Sequence, residues 1–175
     1  MQLYNKLSAE ERRFLIEAAG TERLTLSFYQ YHKILNPKFF RDYLFVHWNL
    51  MDVLGRIYIA QEGINAQISL PAPKFETFKT FLDEISFLSS VRLNIAVEQN
   101  NESFLKLTIK IKNKIVADGL DDSTFDVTQK GIHVNAKRFN ELLAEEGTIC
   151  LDMRNHYESE IGQFKGALTP DVDTF

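Results

Sequence analysis

Arg56-Ile57-Tyr58-Ile59-Ala60-Gln61-Glu62-Gly63-Ile64-Asn65-Ala66-Gln67-Ile68-Ser69-Leu70 is the stretch that decides the fold. Two strand-like runs, Arg56 to Ala60 and Ile64 to Leu70, flank Gln61-Glu62-Gly63, a connection so short that it implies an antiparallel hairpin. Gly63 can take positive φ in that tight turn. On both sides of the hairpin the apolar period becomes helical. Before it, Asn36 caps a helix with Pro37 at the first helical position, running to about Met51 and burying Phe40, Leu44, His47 or Trp48, and Met51. After it, Pro73 opens a second helix with Phe75, Phe78, Leu82 and Ile85 on one face. Further out, Leu24 to Lys33 and Val91 to Val97 alternate as strands, and Phe104 to Val116 carries Leu105, Leu107, Ile109 and Ile111. The order is βαββαβ with an extra strand or a long last strand. That predicts an α+β, ferredoxin-like (acylphosphatase-like) domain with two helices on one face of an antiparallel sheet.

The flanks complete the organisation. Ser8-Ala9-Glu10-Glu11 has capping-box form, so a helix should run to about Ala19 with Gly20 as its left-handed stop. This places an N-terminal helix in residues 1–22 and the sheet domain in 23–120. Asp118-Gly119 and the acidic run to Asp126 read as a linker or hairpin arm, with the linker proper at 121–130. A second unit, 131–175, begins with a strand at Ile132-His133-Val134, cap Asn135, a helix from Ala136 to Glu145, stop Gly147 and a strand from Thr148 to Leu151. No later elements follow to bury that strand, so the expectation is one complete domain and the front part of an α/β domain.

Composition excludes several classes. The chain has 175 residues, 45% hydrophobic and 25% charged, with fourteen Phe available for a core. A net charge of −4 argues against wholesale electrostatic attraction to nucleic acid or anionic membrane, though not against a local basic face. No apolar run reaches 18 residues and the first residues do not form a signal peptide, so no membrane association is expected. The single cysteine allows no internal disulfide, consistent with a reducing cytoplasm. His32, His47, His133 and His156 lack metal-ligand spacing, and no metal or cofactor site is expected.

Alternation also defines a second register, facing away from the helices. It holds Tyr29, Tyr31 and Lys33, then Arg56 and Tyr58, then Asn65 and Gln67, then Arg92, Lys106, Lys110 and Lys112. Rings interleaved with cations on a sheet suit single-stranded RNA, where rings stack bases and cations neutralise phosphates. The competing reading is a face packed on another part of the chain, its lysines a solvated rim. Lys110, Lys112 and Lys114 repeat every second residue, as phosphate contacts or as lysines that protect a strand edge. Glu62 and Asn65 border this face and serve either turn chemistry or binding. Cys150, inside an apolar strand, reads as a small buried hydrophobe rather than a nucleophile. Asp152 and Arg154 follow that strand, either as a pair organising the turn or with Arg154 steering an anionic group.

Three motifs, in order, resemble one bacterial family. They are Gly55-Arg56-Ile57-x-Ile59-Ala60-x-Glu62-Gly63-Ile64-Asn65-Ala66, Lys112-x-Lys114-Ile115-Val116-Ala117-Asp118-Gly119-Leu120, and Leu151-Asp152-x-Arg154-x(3)-Glu158-x(3)-Gly162-x(3)-Gly166-Ala167. The family is the rhodanese-domain tRNA uridine hydroxylases, and the resemblance spans about residues 24 to 175. The third motif resembles the opening of a rhodanese-like domain, with Gln163-Phe164 replacing the usual His-Ile. The resemblance implies oxygen-dependent formation of 5-hydroxyuridine at the tRNA wobble position, with molecular oxygen as co-substrate and tRNA as partner. It places the catalytic cysteine beyond Phe175, so no residue here inherits that role, and Asp152 and Arg154 fall at the periphery of the active site. The RNA-contacting set is then Tyr29, Tyr31, Arg56, Tyr58, Lys106, Lys110, Lys112 and Lys114. The alternatives are a rhodanese-type sulfurtransferase and a non-catalytic RNA-binding module.

Overall fold

The computed structural model describes residues 3, 5–115, 129 and 131–170, and the chain divides into two compact units, 1–116 and 117–175. In the first unit, helix α1 (Ala9–Ala19) precedes β1 (Arg23–Tyr31), α2 (Pro37–Leu50), β2 (Leu54–Ala60), β3 (Gly63–Pro71), α3 (Phe75–Asp83), β4 (Asn94–Ile95) and β5 (Leu107–Ile111). The sheet order is β4-β1-β3-β2-β5. Every neighbouring pair is antiparallel except β2 with β5, which is parallel. The first four strands have ferredoxin-like connectivity. The run after Phe104 is the extra strand, added along the free edge of β2.

Local chemistry explains the elements. Ser8 and Glu11 form the reciprocal capping box, and Gly20 ends α1 at φ 59°. Asn36 caps α2 by accepting from the Phe39 amide at 3.0 Å. One side of the sheet carries Leu26 and Phe28, Ile57 and Ile59, Ile64, Ala66, Ile68 and Leu70, then Leu107 and Ile109, all packed with Leu44, Phe45 and Trp48 of α2 and Phe78, Phe81 and Leu82 of α3. Trp48 is fully buried between the rings of Phe28 and Phe78, at 6.3 and 5.5 Å. Phe45 and Phe81 join the core, while Phe40, Met51, Phe75 and Ile85 pack only at its margin. A helix stripe wider than the strict i, i+3, i+4 set accounts for the difference.

The structure shortens the predicted strands at the sheet edges. Val91 to Val97 contributes only Asn94–Ile95, and on the Thr25 side of that pairing side chains take over the edge of β1. The Thr25 amide donates to Gln99 Oε1 at 2.6 Å and the Arg23 amide to Asn101 Oδ1 at 2.8 Å. On β5, Asn5 does the same work: its Nδ2 donates to the Leu107 carbonyl at 3.0 Å and its Oδ1 accepts from the Leu107 amide at 3.1 Å. Primary amides thus stand in for a neighbouring strand on both edges.

In the second unit, α4 (Ala136–Ala144) is capped by Asn135, and α5 (His156–Ile161) follows the Asp-x-Arg segment. Ile132 to Val134 forms no strand. Of the run from Thr148 to Leu151, only Leu151 pairs, as an isolated parallel bridge to Leu168. Both corrections share a cause, since an extended segment becomes a strand only with a ladder partner. Ile132 is 93% exposed. Phe164 packs its ring 4.8 Å from Phe139 of α4. The acidic arm and the linker at 121–130 lie outside the described residues apart from Gln129, as do residues 171–175.

Candidate nucleic-acid interface

The register of the four long strands aligns the outward side chains in rows. Tyr29 of β1 opposes Asn65 of β3, Asn65 opposes Tyr58 of β2, and Tyr58 opposes Lys110 of β5. The next row is Ser27, Gln67, Arg56 and Thr108. Adjacent strands lie ~4.8 Å apart, so the rings of Tyr29 and Tyr58 stand on backbones separated by ~10 Å with an amide between them. No Asp or Glu occupies an outward position on these strands, although the chain carries a net −4.

Tyr29 is 55% exposed and meets Tyr31 edge-on at 6.1 Å. Arg56, Gln67, Lys106 and Lys110 are exposed, while Tyr58 and Asn65 are half-buried. Lys112 continues the pairing with β2, its amide donating to the Ile59 carbonyl at 2.8 Å, and its ammonium lies 5.4 Å from the Tyr58 ring centroid. That distance is a cation–π contact between the outer strand and the Tyr58 ring. The face is closed at the opposite end, where Arg23, Leu54 and Ser69 are buried.

Three expected members fall elsewhere. Lys114 follows the end of β5 and is half-buried, so the alternate-lysine pattern does not continue as one strand face. Arg92 precedes β4 and Lys33 follows β1, both exposed and off the rows. Glu62 is buried, and its Oε1 accepts from the Ile115 amide at 2.6 Å, so it ties down the chain after β5 instead of facing a ligand. Asn65 and Gln67 were legible only as members of the outward register. The structure adds that they fill the row centres and that neither amide bonds to another described side chain.

In the second unit, Asp152 and Arg154 form a bidentate pair, with Arg154 Nη2 to Asp152 Oδ2 at 2.6 Å and Nε to Oδ1 at 2.9 Å. Hydrogen bonding from Arg154 holds the Asp152 carboxyl below its ordinary value. Nη2 also donates to the Gly162 carbonyl at 2.7 Å. The guanidinium therefore ties the segment before α5 to Gly162, the residue that ends the helix. Cys150 is half-buried and its carbonyl accepts from the Leu168 amide at 2.8 Å. Among the described residues no group of His, Cys, Asp and Glu is placed to hold a metal ion, and no helix is long and apolar enough to cross a membrane.

Comparison with known proteins identifies the family. A family model described as the UPF0176 acylphosphatase like domain matches residues 23–115. A protein of Leptospira interrogans named tRNA uridine(34) hydroxylase is 48% identical over 173 residues, 99% of this chain and 47% of its own length. Proteins of the same name from Hamiltonella defensa and Pectobacterium atrosepticum are 44% and 46% identical over 174 residues, each aligned over 49% of its length. The chain spans about half the length of these curated relatives.

Proposed function

This chain belongs to the UPF0176 acylphosphatase-like domain family, and from that premise we propose that it forms the tRNA-presenting half of an enzyme that hydroxylates uridine 34. The observation that carries the reading is the outward sheet face, where tyrosines, amides and cations stand in register with no acid among them. Unpaired bases of an anticodon loop would stack on Tyr29 and Tyr58. Arg56, Lys106, Lys110 and Lys112 would neutralise the phosphates on either side. The amides of Asn65 and Gln67, between the two rings, would meet base edges. The oxygen-dependent step would fall to the part of such an enzyme that this chain does not cover, with a cysteine there as its reactive group. The enzyme would work in the cytoplasm, on tRNA.

The test is binding of an anticodon stem-loop RNA across a salt series. Lys110→Glu with Lys112→Glu should weaken binding at least tenfold and lower the salt slope by ~1.4, at about 0.7 per single-strand phosphate contact. Tyr58→Ala should cost ~1–3 kcal/mol of binding with the slope unchanged. Unaltered affinity in both variants would remove the face from the mechanism.

A further inference from the structure

A second basic feature lies away from the rows just described. A cleft of ≈430 Å3 opens between α1 and the ends of the strands, lined by Arg12, Leu15, Ile16 and Ala19 of the helix, then Thr21, Arg23, Asp52, Pro71, Pro73 and Lys74. That volume lies within the range of small-molecule sites. Three of its lining residues are cations and one is an acid. The acid is already engaged, since Lys74 Nζ donates to Asp52 Oδ2 at 2.5 Å.

Arg23 is the unusual member. It is only 6% exposed, and no carboxylate lies on its guanidinium among the described residues. Its bonds go to neutral oxygens: Nε to Ser69 Oγ at 2.9 Å, and Nη2 to the Ser69 and Asp52 carbonyls at 2.9 and 2.7 Å. Asp52 presents that carbonyl from a left-handed conformation, φ 56°, which a non-glycine residue adopts at a cost. Nε and Nη2 are thereby committed, while among the described residues the two Nη1 donors have no acceptor, and they belong to a residue that lines the cleft. Burial pushes the Arg23 guanidinium down to about 10, with Arg12 adding to the effect and Asp52 opposing it. A desolvated cation without an anionic partner is costly, and an anion in the cleft would offset that cost.

We propose that this cleft binds an oxyanion of the phosphate class, held by the free Nη1 edge of Arg23 and by Arg12, with Leu15, Ile16, Pro71 and Pro73 against the apolar part of the ligand. A guanidinium already oriented by three bonds offers the planar fork that matches a phosphate. The phosphate belongs either to a free nucleotide or to an RNA backbone.

Calorimetric titration of the 175-residue chain with inorganic phosphate and with AMP, beside the stem-loop RNA titration, separates these sources. Arg12→Gln should weaken the bound species at least tenfold. Arg23→Lys, which keeps the charge and loses the fork, should do likewise with an unchanged near-UV circular dichroism spectrum. Saturable AMP binding that these variants abolish, with RNA affinity intact, identifies a nucleotide site. Loss of RNA affinity alone identifies a backbone phosphate. The Lys110→Glu, Lys112→Glu variant should leave AMP binding untouched, so failure of the sheet-face reading is distinguishable. If neither phosphate, AMP nor RNA binding responds to Arg12→Gln, the proposal is overturned.

Discussion

At Gly63 the backbone approaches its neighbour so closely that an added Cβ would lie 2.2 Å from the Gln30 carbonyl oxygen, at φ 151°. The obstacle is backbone on a central strand pair, so no rotamer change relieves it. Gly63→Ala should therefore destabilise the first unit by ~3 kcal/mol. Gly20→Ala, also at positive φ but with open space around it, should cost only ~1 kcal/mol. Urea denaturation compares the two, and equal midpoints would contradict the steric argument. Asp152 supports a pH prediction. Its folded-state carboxyl titrates below the ordinary value because Arg154 donates to it. The pair's contribution is thus complete above the unfolded carboxyl value of ~3.9 and is lost as pH falls through the lower folded value. Carbon-13 titration of the Asp152 carboxyl should give a depressed midpoint that returns to the ordinary range in Arg154→Ala.

Among the elements, β5 depends on a contact far off in the chain, the two hydrogen bonds between Asn5 and Leu107. Asn5→Ala should cost ~1–2 kcal/mol by urea denaturation, the sum of two modest net bonds. Asn5→Asp keeps the acceptor and loses the donor, so it should fall between. Elements with strict periods were legible from residues alone: the β2–β3 hairpin, both core helices and the alternation of β1. β4 was legible as a strand but not in its length, since Gln99 and Asn101 take over the edge of β1 by side-chain bonds that leave no period in the sequence. The candidate face divides in the same way. Tyr29, Arg56, Tyr58 and Lys110 follow from alternation, whereas the place of Lys114 off the strand rows does not, because nothing in its spacing marks the end of β5 at Ile111. The burial of Arg23 depends on α1 and the turn at Asp52, which alternation along β1 cannot register.

On the scale of the whole molecule, the family match, the core and the sheet face all fall within the first unit, 1–116. A fragment of those residues should fold alone, with amide spectra that superimpose on those of the same residues in the 175-residue chain, and should retain the stem-loop affinity. Loss of dispersed signals would place part of that core elsewhere. The edge-sealing amides carry one more consequence. Gln99, Asn101 and Asn5 all act near Arg23, Thr25 and Leu107, at the end of the sheet where the face is closed. None reaches the row of Tyr29, Tyr58 and Lys110. The sheet should therefore be stiff at one end and compliant at the other, visible as deuterium uptake that rises from Thr25 towards Tyr29. Under the proposed reading the compliant end is the one whose rings would meet RNA, so an incoming strand would find a surface able to settle around it, anchored on the sealed end of the sheet.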